Sequence, residues 1–166
     1  MALFLFRKVV ENKLKLAFQG SRSLKKKREE VLKIIETEIE KYNPEMVITS
    51  GEPDGVCRLT QSYCRRNGIT LKLYHTNFKK YARGAFYNRS KAIIDDADYI
   101  ILIHDGKSRG TQNELNLVRK FGKPYKYYKL DKTEHKQSID FEIDKGWEWD
   151  DNNFKEMDLN YSMLKR

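Results

Sequence analysis

The residues with the clearest chemistry lie at 105–111, Asp105-Gly106-Lys107-Ser108-Arg109-Gly110-Thr111, a loop of two glycines and small polar side chains. It follows an apolar run, Tyr99 to Ile103, that is β-branched at three of five positions and has the make-up of a strand buried on both faces. It precedes Gln112 to Phe121, where Leu115, Val118 and Phe121 recur at helical spacing. A buried strand, a glycine turn and a helix start leave free backbone N–H groups pointing into the turn, which suits an anion. Two other strand exits share this character, Gly20-Ser21-Arg22-Ser23 and Ser50-Gly51-Glu52-Pro53-Asp54-Gly55. In open parallel sheets, ligands bind beyond the carboxyl ends of the strands where strand order reverses. That rule gathers the three loops and makes Gly20, Ser21, Arg22, Ser50, Gly51, Glu52, Asp54, Gly55, Asp105, Gly106, Ser108, Gly110 and Thr111 candidate ligand contacts.

The loops match neither the dinucleotide G-x-G-x-x-G fingerprint nor the G-x-x-x-x-G-K-[ST] P-loop, which argues against a standard NAD or ATP site. His75 and His104 end strands near the same rim without metal-ligand spacing. Cys57 and Cys64 are seven residues apart with no CxxC motif and read as small core residues. Neither a metal nor a cofactor is expected.

The elements that must position these loops follow from the pattern. A short apolar start at Leu3–Val10 leads to a strand at Leu14–Phe18, and Ser21 or Ser23 can cap a helix over Leu24–Tyr42. Val31, Ile34, Ile35, Glu38 and Ile39 form one face of that helix. Lys25–Arg28 would oppose its dipole unless an anion lies nearby. Met46–Thr49 is the second strand, Val56–Asn67 a helix closed by Gly68, and Ile69–Tyr74 the third strand. A basic, aromatic loop at 75–83 and a helix at Gly84–Asp95 precede the central strand, and Tyr125–Leu130 supplies a fifth. Five strands alternating with helices predict a single Rossmann-like, doubly wound parallel α/β sheet flanked by helices. Ile139–Ile143 alternates and can add an edge strand.

The chain has 166 residues and a net charge of +9, unevenly placed. Residues 131–166 carry 6 basic and 10 acidic side chains, whereas residues 1–130 carry 27 and 14, a body of +13 with an acidic tail. Such a body suits phosphate-bearing ligands or nucleic acid. The tail is expected to pack on the body through Trp147 and Trp149. No apolar run approaches the roughly 20 residues of a membrane span, and Met1–Phe6 is too short for a signal core, so the expected location is cytoplasmic.

Three stretches resemble a known group: Thr49–Gly55, the Asn88-Arg89 pair on its helix, and Asp105–Glu114 followed by Gly122-Lys-Pro124. They are similar to the SLOG superfamily, the Rossmann-like group joining Smf/DprA DNA-processing proteins to the Lonely Guy phosphoribohydrolases, and within it to the small YspA/YpsA-related branch. The likeness covers residues 14–130. It implies a nucleotide or nucleotide-derived ligand, with Asn88 among its contacts. In some members the activity is hydrolysis of the N-glycosidic bond of a nucleoside monophosphate. Gly110-Thr111-x-x-Glu114 matches the phosphoribohydrolase G-T-x-x-E, whose Glu is catalytic, and Arg89 falls on the helix where that family keeps a catalytic Arg. Asp105-Gly106-Lys107 stands where those enzymes have Pro-Gly-Gly. The same stretch is similar to nucleoside 2-deoxyribosyltransferases, where the Glu attacks the sugar. Cleaving a base from ribose builds positive charge on the sugar, so a carboxylate beside it stabilises the transition state or attacks.

On this reading Glu114 stands in the first turn of its helix, kept ionised by the dipole, and Arg89 holds a phosphate bidentately. The functions that follow are nucleotide N-glycosidase, non-catalytic sensor or sponge of a nucleotide signal, or single-stranded DNA binder. The last rests on the +13 body, Lys25–Arg28 and Phe78-Lys-Lys-Tyr81. The resemblance also implies a homo-oligomer.

Overall fold

Every residue of Tyr99–His104 (β4) is buried, and this strand stands inside the sheet with parallel neighbours on both sides. The structure, a computed structural model, describes residues 2–11, 13–130 and 139–141. The other elements are α1 (Ala2–Val10), β1 (Lys15–Gly20), α2 (Arg28–Tyr42), β2 (Met46–Ser50), α3 (Gly55–Arg66), β3 (Leu71–Tyr74), α4 (Phe78–Tyr81), α5 (Ala85–Asp96), α6 (Arg109–Lys120), β5 (Tyr125–Leu130) and β6 (Ile139–Phe141). Strand order is β3-β2-β1-β4-β5-β6. The first five strands are parallel and β6 runs antiparallel against β5. This is the doubly wound, Rossmann-like α/β sheet, and its strand order reverses between β1 and β4.

Two apolar cores follow from strands buried on both faces. One joins Leu5 of α1, Val31, Ile35 and Ile39 of α2, and Val56 of α3 to Phe18, Tyr99 and Ile101. The other joins Ile93 and Ile94 of α5 and Leu115 and Val118 of α6 to Ala17, Ile100 and Leu102. Glu38, on the inward face of α2, is fully buried. It pairs with Lys126 Nζ at 2.8 Å and accepts a hydrogen bond from the Tyr128 hydroxyl.

Several expected boundaries shift. β1 runs on to Gly20, because Gln19 and Gly20 stay paired with Leu102 and Ile103 of β4. The long helix splits into a 3-10 segment, Arg22–Lys27, followed by α2. Lys25–Lys27 therefore precede the α-helix, whose own first turn carries Glu29 and Glu30, as its dipole prefers. The basic loop at 75–83 holds α4 and a 3-10 turn, with Ala82 at φ +48°. α6 begins at Arg109, three residues before the expected start. Trp147, Trp149 and the packing of the acidic tail lie outside the described residues. No described helix is long and apolar enough to cross a membrane.

Candidate functional site

A cavity of about 480 Å³ opens where the strand order reverses, the place where open α/β sheets take ligands. β1 brings Gly20 to it, the β2 exit brings Glu52, α5 brings Phe86, Tyr87, Arg89 and Ser90, and α6 brings Gly110, Asn113, Glu114 and Leu117. Arg22, Arg83 and Arg109 complete its cationic lining.

The loop from β4 into α6 is held from behind. Asp105 Oδ1 accepts from the N–H groups of Lys107 (2.8 Å) and Ser108 (2.7 Å), and its other oxygen accepts from Ser23. Ser21 Oγ accepts from the Asp105 N–H at 3.0 Å and lies 2.9 Å from Thr111 Oγ1. Burial pushes the pKa of His104 down, favouring the neutral ring. Its Nε2–H donates to the Ser108 carbonyl at 3.0 Å, and its Nδ1 accepts from the Tyr127 hydroxyl at 2.7 Å. Ser108 caps α6 by accepting from the Thr111 N–H.

Gly20 lets α3 approach the sheet, since a Cβ there would meet Ile103 O at 2.4 Å and Val56 at 2.5 Å. Gly110 is different. A Cβ there would meet no atom nearer than Ser108 Oγ at 4.0 Å, and it lines the cavity. Its missing side chain leaves room at the start of α6, where helix N–H groups receive anions.

Deeper in the cavity, Arg89 is 8% exposed and serves two carboxylates. Its Nη1 is 3.3 Å from Glu52 Oε2 and its Nη2 is 3.8 Å from Glu114 Oε2. Its Nε is buried without a hydrogen-bond partner among the described residues. Gln19 Nε2 donates to Glu114 at 2.5 Å and Ser90 Oγ donates at 3.4 Å. The Gln19 carbonyl in turn accepts from the Cys57 thiol at 3.2 Å. Burial lifts the Glu114 carboxyl to about 7; Arg89 lowers it, Glu52 raises it, and the Ser90 and Gln19 donors lower it. Such a displaced carboxyl in a cleft marks a candidate catalytic group. Burial also raises the Cys57 thiol to about 11, so it stays protonated. Among the described residues no group of three His, Cys, Asp or Glu side chains is placed for a metal.

Of the residues singled out in the sequence, Gly20, Arg22, Glu52, Arg89, Ser108, Gly110, Thr111 and Glu114 line the cavity together. Ser21 and Asp105 stand behind its wall, as just described. Ser50 offers its carbonyl to Gln61, and Gly51 packs beneath the His75 ring. Asp54 forms an ion pair with Arg22 (3.5 Å) at the surface. Gly55 packs on Ser21 at φ +73°, Asn88 ties its amide to the Gly84 carbonyl, and Gly106 makes the turn at φ +87°. One expectation needs correction. Glu114 is in the second turn of α6, beyond the strongest reach of the dipole, and burial dominates its titration. Arg89, expected to clasp a phosphate, lines the cavity with its guanidinium between Glu52 and Glu114.

Gln19, Arg83, Phe86, Tyr87, Ser90, Arg109, Asn113 and Leu117 were missed. Gln19 carried a signal, a polar residue within the apolar Leu16-Ala17-Phe18 strand. Gly110, Asn113, Glu114 and Leu117 carried another, sharing one helix face at i, i+3, i+4 and i+7. No protein-family model matches the chain, and no curated protein matches it.

Proposed function

We propose that the cavity binds a nucleotide and hydrolyses its N-glycosidic bond. The observation that carries this reading is the charge at the cavity's base. One guanidinium is shared by two largely buried carboxylates, below an entrance carrying Arg22, Arg83 and Arg109. The entrance suits an anion. Once Glu114 is ionised, the base carries an excess of negative charge that a transition state with a positive sugar would neutralise.

The spacing agrees. Glu114 lies four residues beyond Gly110, about 6 Å along the helix at 1.5 Å per residue, roughly the span from the phosphate to the anomeric carbon of a ribose 5-phosphate. The phosphate sits at the start of α6, with Arg109 and Arg22 beside it. The sugar lies over Glu114 and Glu52, and the base faces Phe86 and Tyr87. As the C1′–N bond breaks, its electron pair leaves with the base and positive charge grows on the ring. Glu114 takes a proton from the attacking water, whose oxygen forms the new bond to C1′, and the departing base takes up a proton from Glu114 or solvent. Gln19, Ser90 and Arg89 all donate towards Glu114, which holds the carboxylate in one orientation. The resemblance of Gly110-Thr111-x-x-Glu114 to the phosphoribohydrolase element supports the same assignment.

The test is to incubate the protein with a panel of nucleoside monophosphates and separate free base and ribose 5-phosphate by chromatography. Glu114→Gln is expected to lower turnover by about 10²–10⁴-fold, the ordinary contribution of a positioned general base, while the protein stays folded. Undiminished turnover by the variant overturns the role of Glu114. A nucleotide bound and recovered intact by the wild type makes the site a sensor instead.

A further inference from the structure

Away from the cavity, exposed apolar surface is concentrated on α1. Among the described residues seven large apolar or aromatic side chains are exposed, and three of them, Leu3, Phe4 and Phe6, fall within four residues of this helix. Leu5 and Val9, four apart, face the core cluster that also holds Ile35, Tyr128 and Leu130. Leu3 and Phe6, 82% and 67% exposed, are turned away from it. With Phe4, Arg7 and Glu11 they line an open groove of about 540 Å³. A helix that is apolar on both sides is normally covered on both, and a contiguous apolar patch marks a contact surface. Lys8 is paired with Asp98 at 3.2 Å, whereas Arg7, and Lys13 just past the helix, have no ion pair among the described residues.

The path of the chain says what covers this face. β6 runs antiparallel to β5 with Phe141 beside Tyr128, so the chain leaves Phe141 towards the edge of the sheet where β4 and β5 begin. That edge is opposite the cavity. It is also where Lys8 ties α1 to Asp98, the residue before β4. Trp147 follows Phe141 by six residues, a reach of up to about 20 Å, against the roughly 10 Å between packed layers. Residues 144–151 hold both tryptophans of the chain, together with four acidic residues and one lysine. The segment thus offers two large apolar rings to an apolar groove, and acids to the unpaired cations Arg7 and Lys13. We infer that residues 144–151 dock on the outer face of α1 in the same chain, with Trp147 and Trp149 against Leu3 and Phe6. The acidic tail is then a cover for α1 and leaves the cavity open. This inference is independent of the N-glycosidase reading.

Because Trp147 and Trp149 are the only tryptophans in the chain, tryptophan emission reports on this segment alone. In the full-length wild type it is expected to lie to the blue of a free indole and to resist quenching by acrylamide. The double change Leu3→Ser, Phe6→Ser alters only exposed side chains, so far-UV circular dichroism should be unchanged while emission moves to the free-indole position and quenching rises. Arg7→Glu, which leaves the apolar face intact, should move emission in the same direction by a smaller amount. Free-indole emission in the wild type overturns the inference, and so does a blue-shifted emission that neither variant moves. Size-exclusion chromatography and vesicle sedimentation identify the other occupants. A wild-type dimer that the double change splits without moving the emission assigns the face to a second copy. Binding to anionic phospholipid vesicles that needs Leu3 and Phe6, with free-indole emission before vesicles are added, assigns it to a membrane surface. Either result overturns docking of the tail.

Discussion

Replacing Glu114 by glutamine should make the protein relatively more stable as pH rises. In the folded protein this carboxyl is lifted by burial from the ordinary glutamate value of 4.5 to about 7. Below the lower value both folded and unfolded chains hold the proton, and the group is neutral to folding. Above it the unfolded chain ionises while the folded chain keeps the proton, so stability drains away until the folded carboxyl ionises as well. Integrated between about pH 5 and about pH 8, that loss is about 2.5 kcal/mol, at about 1.4 kcal/mol per pH unit. Glutamine does not titrate and keeps the shape. The pull of Arg89 on the ionised carboxylate is already contained in the value of about 7, and the difference between protonated carboxyl and amide is a constant offset that cancels when the two pH values are compared. The stability of Glu114→Gln relative to wild type should therefore rise by about 2.5 kcal/mol from pH 5 to pH 8, roughly 5–10 °C in Tm for a chain of this size. Thermal and urea unfolding of both proteins at the two pH values measure it. An unchanged difference, or one that falls towards pH 8, would show that Arg89, Gln19 and Ser90 hold the carboxylate ionised and that burial does not dominate.

Other perturbations separate support of the site from support of the fold. Gln19→Met removes a donor to Glu114, so the acid limb of the pH–rate profile should move above 7; a limb that stays put removes Gln19 from the positioning of Glu114. Gly110→Ala meets nothing within 4.0 Å and replaces glycine inside a helix, so stability should rise by about 0.5–1 kcal/mol. The same change should weaken nucleotide monophosphate binding at least about tenfold by filling the space at the start of α6. Alanine that leaves affinity intact would move the phosphate elsewhere.

The sheet was legible because its strands are simple objects. A strand buried on both faces reads as an apolar run, and Tyr99–Ile103 could hardly be anything else. The place of the site was legible for the same reason, since parallel strands send their exits to one edge. What stayed hidden depends on partners distant in sequence. Gln19 belongs to a strand because Leu102, 83 residues later, pairs with it. The carboxylate partners of Arg89 were hidden because Glu52 and Glu114 converge on it from two other elements. The raised pKa of Glu114 was hidden likewise, since helix position is local whereas its burial depends on Gln19, Glu52 and Arg89 from other elements.

The carboxylates of the site are not matched one to one by cations. A well-compensated interior would give each buried carboxylate its own cation, as Glu38 has Lys126. Glu52 and Glu114 instead have one guanidinium between them, and the burial of Glu114, to which the charge of Glu52 adds, costs the protein stability as pH rises towards 7. A ligand or transition state that brings positive charge to Glu114 recovers the deficit, and the recovery appears as binding or rate enhancement. On the proposed N-glycosidase reading, the pH-dependent loss of stability and the stabilisation of a positively charged sugar are two measurements of one quantity. If Glu52→Gln raises stability near pH 8 and lowers turnover of a nucleoside monophosphate by comparable free energies, the paired carboxylates are held for the reaction. If it raises stability and leaves turnover alone, the two carboxylates are there for a reason other than positive charge.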